Sequence, residues 1–174
     1  MKKIVVCLLF VAATLSAKAV DTVDDFRMFM DKIREDVRNN PKAETIKKEL
    51  SLYNPEDGSF TDIDYARTDR TNWMPIIHVE RLSDFAFAYT NPDNAYYGDD
   101  AIYEKIVKGL EYWQMRNPNC SNWWYNQISE PQKLGVLLVQ MRVGKKLIPQ
   151  ELEDTICSAY VRMEETRQNG PEQT

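Results

Sequence analysis

The feature that most constrains this chain is a series of apolar stripes at spacings of three and four, each closed by a cluster of turn-forming residues. Residues so spaced share one face of a helix, so each stripe predicts a helix packed along that face. Val23, Phe26, Met30, Ile33 and Val37 form the first, closed at Asn39-Asn40-Pro41, and Ile46 with Leu50 marks a short second. Asn54 to Ser59 is dense in turn formers, and that loop is expected to run to about Arg70. Met74, His78, Leu82, Phe85 and Tyr89 make a third stripe, with Asn72 placed to cap it and Pro75 inside its first turn. Asp99 and Asp100 sit at the start of a fourth, Ile102, Ile106, Leu110 and Trp113, which ends at Asn117-Pro118-Asn119. Ser129 with Gln132 reads as a capping box ahead of Leu134, Leu137, Leu138 and Met141, with Gly144 as the stop. Pro149 opens the last helix, turning Leu152, Ile156, Ala159, Tyr160 and Met163 inward. No alternating run is long enough for a sheet. The expected fold is all-α.

The first nineteen residues read differently. Lys2 and Lys3 precede an apolar run from Ile4 to Leu15 and then Ala17-Lys18-Ala19, the layout of an export signal. The run is too short to cross a bilayer, which needs roughly 20 apolar residues. Residues 1–19 are therefore expected to be a signal peptide and 20–174 one helical domain, exported to a periplasmic or extracellular space. No cysteine follows the cleavage triplet, which disfavours a lipid anchor.

Charge narrows the partners. The net charge is −5, and loss of Lys2, Lys3 and Lys18 with the signal takes it to −8. Such a surface disfavours nucleic acid and anionic membranes. Metal chemistry has little support. One histidine and two widely separated mature cysteines, Cys120 and Cys157, give no zinc spacing, and two cysteines make no disulfide framework. Asp57 with Asp62, or Asp99 with Asp100, could touch calcium, but turns and helix caps account for them. Neither a metal nor any other cofactor is expected. His78 shares a stripe with apolar neighbours and reads as a satisfied core or cleft-edge histidine.

The segment Asn122-Trp123-Trp124-Tyr125-Asn126-Gln127-Ile128 carries the most chemistry. It follows a proline break, and its place between two helices predicts a loop. Adjacent tryptophans diverge by about 100° on a helix, so both cannot enter one helical core. Flat indole faces suit the C–H faces of sugar rings, and covering roughly 60 Å² contributes about 1.5 kcal/mol per ring. Asn122, Asn126 and Gln127 can bond hydroxyls and carboxylates. From the residues alone, the indoles plugging the loop against the core is an equal alternative.

The string from Asn122 to Gly135, continued by Val136 to Met141, resembles the stretch of polysaccharide lyase family 8, the chondroitin AC and hyaluronate lyases, where paired tryptophans line the substrate cleft. Residues 57–63 (DGSFTDI), 71–78 (TNWMPIIH), 96–100 (YYGDD) and 142–146 (RVGKK) are similar to further family segments in order and spacing. The likeness runs from about residue 25 to the last.

The resemblance implies a partial α/α toroid built of helical hairpins. It implies that Trp123 and Trp124, beside Asn122, form a platform for an acidic glycosaminoglycan such as chondroitin or hyaluronan. Family members cleave by β-elimination, in which an asparagine relieves the uronate's charge while a tyrosine, a histidine and an arginine serve the proton transfers. Those residues are expected beyond the matched region, so no residue here takes a catalytic role. Two readings stand: the N-terminal portion of a secreted lyase, or a secreted helical module that binds carbohydrate or another partner without catalysis. Arg67, Arg70, Arg116, Lys133, Arg142, Lys145 and Lys146 flank the matched segments and could meet a polyanion, although most read as solvated charges.

Overall fold

A computed structural model describes residues 22–36 and 39–168, with side chains for 25–36 and 39–159. The expected export signal lies outside the described residues, as does Val37. Among the described residues six α-helices follow in order: α1 (Thr22–Asp36), α2 (Ala43–Leu52), α3 (Ile76–Thr90), α4 (Asp100–Arg116), α5 (Glu130–Met141) and α6 (Gln150–Gln168). A π-helical turn, Tyr125–Ser129, leads directly into α5. Among the described residues the β pairing is one isolated bridge, Tyr53 to Phe60. The fold is all-α, as the stripes predict.

Helix α3 is the hub, lying against α2, α4 and α5. That position explains why Ile76, His78, Val79, Leu82, Phe85, Ala86, Phe87, Ala88, Tyr89 and Thr90 are all buried, far more than one stripe. Gly109 lets α4 approach: a β-carbon there would lie 2.6 Å from a Leu82 methyl. Gly58, at φ +88°, brings the 54–59 loop against α4 in the same way, where a β-carbon would meet the Lys108 carbonyl at 2.5 Å.

Some local signals hold and others do not. Asp99 caps α4 through the amides of Ala101 (2.7 Å) and Ile102 (3.3 Å), and Asn117 closes it in the left-handed region. Pro149 does precede α6, its carbonyl accepting from Glu153 N. Asn72 does not cap α3. It sits at φ 51°, and the helix starts four residues later, after turn bonds from Ile76 N to Trp73 O and from Ile77 N to Met74 O. The Trp73 indole fixes this entry by donating to Arg67 O at 2.8 Å, a contact no local pattern reports. Ser129 makes no cap bond either, because the helix is already running when it reaches that residue. Phe26 is 63% exposed, since α1 rests on α5 mainly through its second half, where Met30 and Ile33 are half-buried.

His78 is fully buried, stacked against the Tyr112 and Trp113 rings. Its hydrogen bonds fix its tautomer. Gly109 O can only accept, so Nε2 carries the proton and donates at 2.9 Å. Nδ1 then accepts from the Tyr65 hydroxyl at 2.8 Å, and that oxygen in turn accepts from Phe60 N at 2.9 Å. Burial pushes the Tyr65 phenol up, keeping it a donor, and pushes His78 down to about 4. Both ring nitrogens are committed to the scaffold.

A second titratable group works in the opposite sense. Burial, with the Asp84 charge second, raises the Glu49 carboxyl to about 7, and one of its oxygens is buried without a hydrogen bond. A folded pKa above the unfolded one stabilises the chain below about pH 4.5, and that contribution is lost as pH rises through 7. For His78 the folded value lies below the unfolded one, so its contribution is present above about 6.5 and lost as pH falls toward 4. Two outcomes follow for urea unfolding. Glu49→Gln should stabilise the chain at pH 8 relative to pH 4.5, by about 1 to 2 kcal/mol after allowance for solvent screening. In that background the unfolding free energy should drop by about 3 kcal/mol from pH 7 to pH 4 as His78 resists its proton. A flat pH profile would contradict the buried neutral histidine.

Candidate functional site

The N-terminal ends of α3 and α5 meet the C-terminal end of α4, and the four tryptophans of the chain gather there. Two of them are structural. Trp73 and Trp113 are each 1% exposed with ring centres 6.1 Å apart, and the Trp113 indole donates to the buried Glu130 at 2.9 Å. The other two face out: Trp123 is 59% and Trp124 45% exposed. Tyr125 joins the pairs, its ring 5.6 Å from Trp73 and 5.3 Å from Trp124, edge-on to both.

The segment is helical rather than a loop. Trp123 and Trp124 already have helical geometry, and the π-turn continues them into α5. This corrects the expectation, and the π-turn explains the outward indoles. At 100° per residue, extending the buried face of α5 (Glu130, Leu134, Leu137, Leu138 and Met141) back as a plain α-helix would put Trp123 near the middle of the inner face and Asn122 about 100° off it, with Gln127 and Asn126 on its two flanks. A π-turn holds one extra residue, which shifts everything before it by about 100°. Asn126 and Asn122 take the inner positions instead, half-buried, while Gln127 and Trp123 are exposed.

The two inward amides are used to hold that register. Asn126 closes a two-bond ring on the Cys120 backbone, accepting from its N–H at 2.9 Å and donating to its carbonyl at 2.8 Å. Asn122 accepts from Trp124 N at 3.1 Å and donates to Arg70 O at 3.1 Å. Of the three amides predicted to face a ligand, Gln127 is exposed and makes no side-chain hydrogen bond to a described residue. Asn122 and Asn126 are anchors, each with its oxygen and one of its two amide N–H groups engaged. Cys120 is a buried free thiol donating to Asp69 O at 2.9 Å, and Cys157 is an exposed free thiol.

The acids weighed as calcium ligands have other partners. Asp57 accepts from Ser59 N, Asp62 grips Arg81 through both oxygens, Asp99 caps α4, and Asp100 pairs with Lys146 at 2.9 Å. The flanking cations divide by place. Arg142, Lys145 and Lys146 lie past the far end of α5, about 18 Å from the π-turn at 1.5 Å per residue. There Arg142 pairs with Glu153, and Lys145 stands over the Tyr97 ring at 4.8 Å. At the tryptophan end Arg67 pairs with Asp69 at 2.5 Å and Lys133 with Glu80 at 3.0 Å, while Arg70 and Arg116 are exposed and pair with no described acid.

The register argument predicts opposite outcomes for two changes. Deleting Ile128 removes the extra residue and should leave a plain α-helix with both indoles still outward. Quenching of tryptophan fluorescence by acrylamide should then match wild type. Asn126→Ala releases the Cys120 ring and should let the segment rewind, turning Trp123 inward and cutting the quenchable fraction. Equal quenching in both variants would contradict the register account.

Three comparisons with known proteins agree. The model of polysaccharide lyase family 8, N-terminal alpha-helical domain, matches residues 12–172. Chondroitinase-AC of Pedobacter heparinus is 34% identical over 181 residues, an alignment covering 100% of this chain and 25% of that protein. A solved chondroitinase AC lyase, determined in enzyme–oligosaccharide complexes, superposes with a TM-score of 0.73 at 34% identity, over 78% of this chain and 20% of that one. This chain thus spans about a quarter of the relative's length. It belongs to polysaccharide lyase family 8 and carries that family's N-terminal alpha-helical domain.

Proposed function

We propose that this chain supplies the sugar-stacking part of a secreted glycosaminoglycan lyase, with chondroitin or hyaluronan lying against Trp123 and Trp124. The observation that carries this reading is two adjacent indoles held outward at 59% and 45% exposure, against the tendency of large aromatics to bury. A π-turn and two half-buried amide anchors maintain that exposure. Gln127, exposed one turn along, offers a donor and an acceptor to sugar hydroxyls. The 34% identity to a protein called chondroitinase-AC points to an acidic polysaccharide as the ligand. Export is part of the proposal and rests on the Lys2-Lys3, apolar and Ala17-Lys18-Ala19 pattern.

β-Elimination needs charge relief at the uronate carboxylate, a base for the C5 proton and an acid for the leaving oxygen. We assign none of these roles within this chain; its share is to hold the sugar flat and in register. The sole histidine, His78, is buried with both ring nitrogens bonded, so it has no free nitrogen for proton transfer.

Replacing both Trp123 and Trp124 by alanine should weaken binding of a chondroitin or hyaluronan oligosaccharide by roughly 2–3 kcal/mol, about twice the single-ring value. Calorimetric titration, with helicity checked by circular dichroism, measures it. An unchanged affinity with helicity intact would remove the platform from the account.

A further inference from the structure

The backbone of one cationic residue, Arg70, is held beside the tryptophan segment. Three hydrogen bonds lace residues 68–70 to residues 120–122: Ser121 N to Thr68 O at 3.0 Å, Cys120 Sγ to Asp69 O at 2.9 Å, and Asn122 Nδ2 to Arg70 O at 3.1 Å. The backbone of Arg70 is thereby held beside the residue that precedes Trp123. Its side chain is exposed.

Charge accounting at this end singles the same residue out. Arg67 is neutralised by Asp69, Arg81 by a two-pronged grip on Asp62, and Lys133 by Glu80. Arg116 occupies the last turn of α4, where the helix dipole offsets a positive charge. Arg70 has neither an acid partner among the described residues nor a helix end. The chain as a whole is acidic, so an exposed arginine without an acid partner, its backbone held beside the residue that precedes two outward indoles, departs from its surroundings. Its planar fork matches a carboxylate or sulfate in two-pronged geometry.

We infer that Arg70 gives the tryptophan platform its preference for acidic sugars, by contacting a carboxylate or sulfate of the polysaccharide stacked beside it. The inference rests on the platform reading above and adds the residue that selects charge. Stacking on indoles is indifferent to charge, so without a cation the platform would accept neutral sugars equally well. The acidic surface would otherwise repel a polyanion.

The test uses the chain with two probes, a hyaluronan hexasaccharide and the same hexasaccharide with its carboxyls reduced to alcohols. Wild type should bind the acidic probe several-fold more tightly. Arg70→Ala should weaken acidic binding about fivefold at low salt and leave neutral binding within about twofold, as expected for an exposed charge-assisted contact. Arg70→Lys should keep part of the preference, and Arg116→Ala should keep nearly all of it. Equal weakening of both probes by Arg70→Ala would overturn the inference, as would an unchanged preference or an equal effect from Arg116→Ala. Wild type binding both probes equally overturns the Arg70 role alone; wild type binding neither overturns the platform reading with it.

Discussion

The pairing of the Asn126 amide with the backbone of Cys120 is the constraint on which the site depends. A side-chain amide that accepts from an N–H and donates to the carbonyl of one residue copies a rung of β-ladder, and it leaves little rotational freedom. It fixes a helical turn to the loop that follows α4. The π-turn is the consequence, because the chain must fit one more residue between that ring and the buried face of α5. The outward indoles follow from the π-turn. Residues 68–70 are joined to the same loop, so the cation at position 70 shares the anchor.

The rest of the fold makes that end stiff. Trp73 and Trp113 pack edge to face beneath it, Tyr125 bridges them to the surface, and His78 ties α3 to α4 through Gly109 O. A rigid base would matter for the proposed sugar stacking, because stacking contributes only about 1.5 kcal/mol per ring and ordering a loose loop would consume it. Placing the platform on a helix directly continuous with α5 avoids that cost.

How much of this could be read in the sequence depends on how local each cause is. Helix α4 was fully legible: its stripe, its Asp99 cap and its Asn117 stop are all set within a few residues. The start of α3 was not, because a side-chain bond from the Trp73 indole back to Arg67 O, six residues earlier, stands in place of the cap expected of Asn72. The Ser129 capping box failed for a related reason, since the helix had begun at the π-turn. The burial of His78 was legible from its stripe; its tautomer required Tyr65 and Gly109, thirteen and thirty-one residues away. At the site, adjacency of the two tryptophans left exposed and inward-packed indoles equally open, and the structure shows both exposed. That Asn122 and Asn126 would serve as anchors depended on Cys120 and Arg70, and no spacing rule encodes those contacts.

The most direct measurement follows the four indole N–H resonances by nuclear magnetic resonance as an acidic hexasaccharide is added. The account predicts that the signals of Trp123 and Trp124 move with a common saturation curve while those of Trp73 and Trp113 stay in place. Shifts confined to the buried pair, or four stationary signals at saturating sugar, would contradict it.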